Sequence, residues 1–128
     1  MTLEIPAEVR ALLEQPVLVN LATVRPDGAP QVNPMWFKWD GELIWFTHTN
    51  RRQKFKNIAH EPRVSVSMID PDDKYGYLEV RGVVEKIEDD PEGTMYQLLS
   101  EWYDGTAITP DDAQYRVKIG VRPTKVVR

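Results

Sequence analysis

Arg51, Arg52, Lys54 and Lys56 place four cations within six residues of a chain whose formal net charge is −4. Like charges packed this closely repel one another, and cations at the start of a helix oppose the positive end of its dipole. The stretch "THTNRRQKFKN" (47–57) therefore calls for a negative partner. A strand-like run ends at Thr47 or Thr49 and a helical period begins near Asn50, so free backbone N–H groups, a threonine hydroxyl and several cations converge on one point. On the helix, Arg52 and Lys54 are separated widely enough in angle to grip a phosphate from two sides. A phosphate or a polycarboxylate fits this pattern; a solvated basic helix near acidic neighbours is the competing reading.

Other catalytic sets are poorly represented. His48 and His60 lie twelve positions apart with no third ligand nearby in a metal-site pattern, which favours two ordinary imidazoles over a metal centre. There is no G-x-S-x-G elbow, and Ser65, Ser67 and Ser100 have no adjacent histidine. Glu88, Asp89, Asp90 and Glu92 suit a helix N-terminus better than a paired-carboxylate site, and Asp70, Asp72 and Asp73 suit a solvated turn. The chain has no cysteine, which excludes disulfides, thiolate metal sites and a cysteine nucleophile and agrees with a cytoplasmic location. A protein with this inventory can still be an enzyme if a cofactor carries the chemistry.

The aromatic residues Trp36, Phe37, Trp39, Trp45 and Phe46 fall on two adjoining predicted strands, where most of them are expected in the core. Pro34-Met35-Trp36 differs, because a proline there interrupts the ladder and frees backbone groups that a planar ring could use.

The elements that must hold these residues are short. Ile5, Val9, Leu12 and Leu13 have helical spacing between Pro6 and Pro16. "VLVNLATV" (17–24), "APQVNPMWFKW" (29–39) and "ELIWFTHT" (42–49) read as three strands of a meander joined at "RPDG" and Asp40-Gly41. Pro30 and Pro34 weaken the middle strand and are tolerable at an edge, at a bulge, or where the ladder opens for a ligand. "NRRQKFKNIAHE" reads as a helix capped by Asn50, followed by strands at 63–70 and 76–89, with Gly82 marking a bulge or bend. In "DDPEGTMYQLLSEWYDG" Asp90 can cap a helix, Pro91 can open it and Gly105 can close it, with Met95, Leu98, Leu99 and Trp102 as one stripe. The tail "YRVKIGVRPTKVVR" reads as a last strand.

At 128 residues, with 41% hydrophobic and 28% charged composition, the chain is expected to form a single domain, 1–128. No apolar run approaches the ~20 residues of a membrane span, and "MTLEIPAEVRALLEQ" lacks a signal-peptide pattern. A pI near 5.2 argues against a nucleic-acid partner. About six short strands with few helices favour a mainly β fold, a small antiparallel β-barrel with flanking helices.

Taken together, "APQVNPMWFKWDGELIWFTHTNRRQKFKNIAHEPRVSVSMID" resembles the pyridoxamine 5′-phosphate oxidase-related split barrels, and more closely their branch that uses the deazaflavin coenzyme F-420. The resemblance runs from about Val17 to Val84 and rests on the order P-x-V-x-P-x-W-F, a strand ending in Thr47, R-x-K-x-K-N-I, and P-R-V-S. It implies a split β-barrel of FMN-binding-like fold, a homodimer, and a flavin or deazaflavin in a groove at the subunit interface.

By the same resemblance Thr47, Arg52 and Lys54 hold the cofactor phosphate, and Arg51, Lys56 and Asn57 support or extend that site. Pro34, Met35, Trp36 and Phe37 flank the tricyclic ring, chiefly through backbone contacts, and Tyr75 reaches the cofactor of the partner subunit. By the resemblance, no counterpart of the substrate-binding C-terminal segment of true pyridoxamine phosphate oxidases is expected after Arg128, so vitamin B6 oxidation is not the expected activity. Four clustered cations match a phosphodiester with a glutamate tail better than the single phosphate of FMN. The expectation is a coenzyme F-420-dependent reductase passing a hydride to an electron-poor small molecule. An FMN-dependent oxidase or reductase is the alternative, and a non-catalytic binder of a flavin, deazaflavin or haem-type ligand is another.

Overall fold

The computed structural model describes residues 3–128. Pro6, whose fixed φ suits a helix start, precedes α1 (Ala7–Leu13), which buries Val9, Leu12 and Leu13. Among the described residues seven strands carry about half of the remaining chain: β1 (Val19–Val24), β2 (Pro30–Met35), β3 (Lys38–Trp39), β4 (Ile44–Thr49), β5 (Arg63–Asp70), β6 (Asp73–Asp89) and β7 (Arg116–Val127). Helix α2 (Gln53–His60) links β4 to β5, and α3 (Thr94–Asp104) with a 3-10 turn at Ala113–Tyr115 links β6 to β7.

The strands form one antiparallel sheet in the order β2-β1-β5-β6-β7-β4-β3, curled as a split β-barrel with helices around it. Strand alternation sends Val19, Leu21, Ile44, Phe46, Val64, Val66, Met68, Leu78, Val80, Val117, Ile119 and Val121 into one core, which Ile58 of α2 and Val9 and Leu13 of α1 complete. Full burial of such a side chain contributes about 1.5–3 kcal/mol, so this shared interior is the main force holding the barrel.

The expected meander is only half present. β1 and β2 do pair as a hairpin, in register from Val19 opposite Met35 to Val24 opposite Pro30. The next two strands part company with β2: β3 pairs with β4 at the opposite margin of the sheet, and β4 pairs with β7. Two physical facts account for this. Pro30 and Pro34 lack N–H donors, which suits β2 to a sheet margin, where one side of the ladder stays open. β4 is buried at all six positions and so needs cover on both faces and a long strand partner, which β7 supplies.

Gly82 lies at a register shift between β6 and β7, as its position in the strand predicts. A Cβ there would stand 2.6 Å from Val121 Cγ1 and 2.7 Å from the Arg122 carbonyl oxygen, so the close strand crossing requires glycine.

The helix starts differ from their sequence signals. Asn50 donates its backbone N–H to the Tyr115 carbonyl (3.0 Å), and the residue before α2 is Arg52 in extended conformation, with no side-chain cap. At α3 the cap position is held by Gly93, and Asp90, three residues earlier, accepts the N–H groups of Thr94 (3.0 Å) and Met95 (2.8 Å), while Pro91 falls in the turn before the helix. Gly105 ends the helix in the left-handed region, φ 86°. Of the predicted α3 stripe, Leu99 is fully buried beside Ser100 and Met95 is half-buried, while Leu98 and Trp102 are exposed.

Candidate functional site

The margin strand β2, the end of β4 and the approach to α2 enclose an open groove of about 540 Å³. Asn33, Pro34, Met35 and Trp36 form one wall, and Thr47, His48 and Thr49 another. Arg52 and Lys54 stand at the head of α2, and Tyr96 and Arg116 face in from α3 and β7. Thus Thr47, Arg52, Lys54, Pro34, Met35 and Trp36, distant in sequence, meet in one place.

Lys54 is 5% exposed, and its ammonium contacts the Met35 sulfur at 2.9 Å. Among the described residues neither Lys54 nor Arg52 forms a salt bridge, although the surface elsewhere carries several. Burial, and then the charge of Arg52, lower the Lys54 pKa to about 8. Among the described residues two buried polar atoms, Thr47 Oγ1 and His48 Nε2, have no hydrogen-bond partner. Burial together with Lys54, Arg52 and Arg116 pushes the His48 pKa down to about 3, against a smaller opposing effect of Asp112, so its imidazole is neutral near pH 7. Cations without counter-ions, an unused hydroxyl and an α2 N-terminus without a side-chain cap are the donor set that an anionic oxygen cluster satisfies.

The other residues expected to support or extend the site lie outside the groove lining. Arg51 lies over the Tyr115 ring, 3.4 Å from its centroid, outside the groove lining. Lys56 is exposed on α2. Asn57 is fully buried and its side chain is saturated: it donates to Thr23 Oγ1 and Gln31 Oε1, both at 3.0 Å, and accepts from Gln53 Nε2 at 2.9 Å. Asn57 therefore ties α2 to β1 and β2 from behind the groove. Arg116 pairs with Asp112 at 2.9 Å and lies 4.7 Å from the Tyr96 ring centroid.

The segment between β2 and β3 departs from expectation in one respect. The break in the ladder does not leave every backbone group there for a planar ring, because the Phe37 N–H donates to the Tyr103 hydroxyl at 3.0 Å. That hydroxyl in turn donates to the Val17 carbonyl at 2.8 Å. Phe37 itself is 1% exposed and belongs to the core. Trp36 stacks on Tyr103, with ring centroids 5.1 Å apart and planes 14° apart, and is tilted against Tyr96 at 6.0 Å. Burial raises the Tyr103 pKa to about 12, which keeps its proton in place. Sequence reasoning missed Tyr96 and Tyr103, yet positions 96, 99 and 103 share the i, i+3, i+7 spacing of one helix face.

Tyr75 lies near the start of β6 and is 84% exposed. It lines a separate hollow of about 320 Å³ with Glu8, Val9, Leu12, Tyr77 and Arg128, so within one chain it is not part of the groove.

Residues 5–127 match the family model for pyridoxamine 5′-phosphate oxidase. A solved structure described as an F-420 reductase is 54% identical over 96% of this chain and 98% of its own, with a TM-score of 0.92. A conserved hypothetical protein from Mycobacterium tuberculosis is 25% identical over 98% of this chain and 84% of its own, with a TM-score of 0.76. The heme storage protein HutZ of Vibrio cholerae shares the fold at 21% identity, TM-score 0.68, over 99% of this chain and 94% of its own. No curated protein matches. The chain belongs to the pyridoxamine 5′-phosphate oxidase family.

Proposed function

We propose that this member of the pyridoxamine 5′-phosphate oxidase family is a reductase dependent on coenzyme F-420, acting on an electron-poor organic substrate. The observation that carries the reading is the pair Lys54 and Arg52: two cations without carboxylate partners, beside the unused Thr47 hydroxyl, in a groove walled by Pro34, Met35 and Trp36. Similarity to a protein described as an F-420 reductase supports it. When bound, the deazaflavin supplies the hydride chemistry; the chain supplies position, charge and exclusion of water. Lys54 and Arg52 hold the phosphodiester, with Thr47 Oγ1 donating a hydrogen bond to it. Arg51 and Lys56 flank that point and suit a carboxylate tail leaving the groove. Trp36, held by Tyr103, sets the wall against which a flat ring rests.

In this reading two chains associate, and Tyr75 contributes to the partner's groove. The working location is the cytoplasm, and the structure has no helix long and apolar enough to cross a membrane among the described residues.

Titration with F-420, followed by absorbance and calorimetry, tests the reading. Micromolar or tighter binding, with turnover of quinones or nitroaromatics by the reduced coenzyme, is the expected result. Tighter binding of FMN moves the assignment to an FMN-dependent oxidase or reductase, and binding without turnover moves it to a non-catalytic carrier. Failure to bind either coenzyme removes the reading.

A further inference from the structure

The contact between Lys54 and Met35 is an odd one for a cation to make. A thioether is a weak acceptor, yet the Met35 sulfur, at 2.9 Å, is the hydrogen-bond partner of a buried ammonium. Both side chains line the same groove, and Met35 is only half-buried, at the end of a margin strand. Met68, by contrast, is 2% exposed within the core, and Met95 lies on α3.

We propose that Met35 is an oxidation-sensitive modification site, and that its sulfoxide occupies the Lys54 ammonium and closes the anion site. The oxidant is a peroxide. A sulfur lone pair attacks one peroxide oxygen, the O–O bond breaks, an S–O bond forms, and the second oxygen leaves as water: thioether plus H2O2 gives sulfoxide plus H2O, with sulfur losing the two electrons that the peroxide gains. The product replaces a weak acceptor by a strongly polar oxygen beside an ammonium already in contact with the sulfur. That oxygen then competes with a ligand oxygen for the same N–H donors. Because a hydrogen bond to the charged form favours that form, Lys54 also becomes harder to deprotonate.

The inference rests on the reading that Lys54 holds a ligand anion, and the test separates the two. The protein is treated with hydrogen peroxide, oxygen addition at each methionine is mapped by peptide mass spectrometry, and F-420 affinity is measured at pH 7, where Lys54 is already mostly charged. Affinity is expected to fall at least fivefold in the wild type and to recover with methionine sulfoxide reductase, whereas peroxide leaves the affinity of Met35→Leu at its own starting value. In parallel, an NMR titration of the Lys54 side chain, which needs no ligand, is expected to show a higher midpoint after oxidation. If F-420 fails to bind untreated protein, the functional reading falls and the Lys54 titration alone decides this proposal. Oxidation that spares Met35, an unmoved Lys54 midpoint, or an equal loss of affinity in Met35→Leu overturns it.

Discussion

The hydroxyl of Tyr103 stands 3.0 Å from the Phe37 nitrogen and 2.8 Å from the Val17 oxygen, so one α3 side chain satisfies two backbone groups beside the strand break. Tyr103→Phe keeps the ring that stacks on Trp36 and removes only the bridge. Leaving a buried donor and acceptor unpaired costs about 1–3 kcal/mol, to be read as a lower urea midpoint with an unchanged m-value. Coenzyme affinity is expected to fall severalfold as the Trp36 wall loosens. An unchanged midpoint would show that the bridge contributes nothing.

Lys54 and Lys118 offer a matched comparison, since Lys118 already has Glu88 at 3.3 Å and Lys54 has no carboxylate. A hydrogen bond to a charged group contributes roughly 1.5–3 kcal/mol, or about ten- to a hundredfold in affinity. Lys54→Ala is expected to weaken coenzyme binding by that factor, and Lys118→Ala by less than about twofold, in calorimetric titrations. Equal losses would contradict the assignment of the anion site to the head of α2.

Lys54 also sets opposite pH trends for binding and stability. Its pKa in the free protein is lowered to about 8, first by burial and then by Arg52. The charged form binds the anion, so affinity should be full well below pH 8 and decline as pH rises through it; Lys54→Arg should flatten that decline. For folding the sign reverses. Between about pH 8 and the unfolded value near 10.4 the unfolded chain binds more protons, so stability of the ligand-free protein gains from this residue as pH rises. Denaturation curves at pH 7.5 and 9.5, with and without Lys54→Met, separate its contribution from other groups.

His48 predicts sensitivity to acid. Its folded pKa, pushed down to about 3, lies below the unfolded value near 6.5, so stability is fully present above 6.5 and is lost as pH falls from there toward 3. Each unit of separation is worth about 1.4 kcal/mol. Replacing His48 by Gln should flatten the stability profile across this window, read from urea midpoints at pH 7, 5.5 and 4. A wild-type profile already flat there would show that the imidazole is protonated in the folded protein.

Much of the fold is legible in the sequence because it depends on local rules. Strict alternation marks β5, β-branched content marks β1, the Asp40-Gly41 turn announces β4, Gly82 marks the bulge, and Asp90 with Gly105 bounds α3. Prolines 30 and 34 allow an edge, a bulge or an opened ladder, and β2 takes the edge. The hidden part is long-range. No spacing rule says that β4 leaves the β2 hairpin to pair with β7, because that choice depends on which partner covers a strand buried on both faces.

The groove shows the same division. A basic run beside a strand end points to an anion, and the structure gathers Thr47, Arg52 and Lys54 there. The run does not reveal that Arg51 turns to Tyr115, that Asn57 is consumed by Thr23 and Gln31, or that Arg116 and Tyr96 join from the far end of the chain. The hydrophobic stripe of α3 is only partly where its spacing puts it: Leu99 is buried, but Leu98 and Trp102 are exposed while Tyr96 and Tyr103 carry the hydroxyl-bearing rings that reach inward.

Only residues 36 and 37 separate β2 from β3, the two margins of the sheet. Three Cα steps, at about 3.3–3.6 Å each, connect Met35 to Lys38, so the two rims can part there by no more than about 11 Å. The barrel's split is therefore hinged shut at that end, and the groove's Met35–Trp36 wall is tethered to the opposite rim by the chain itself.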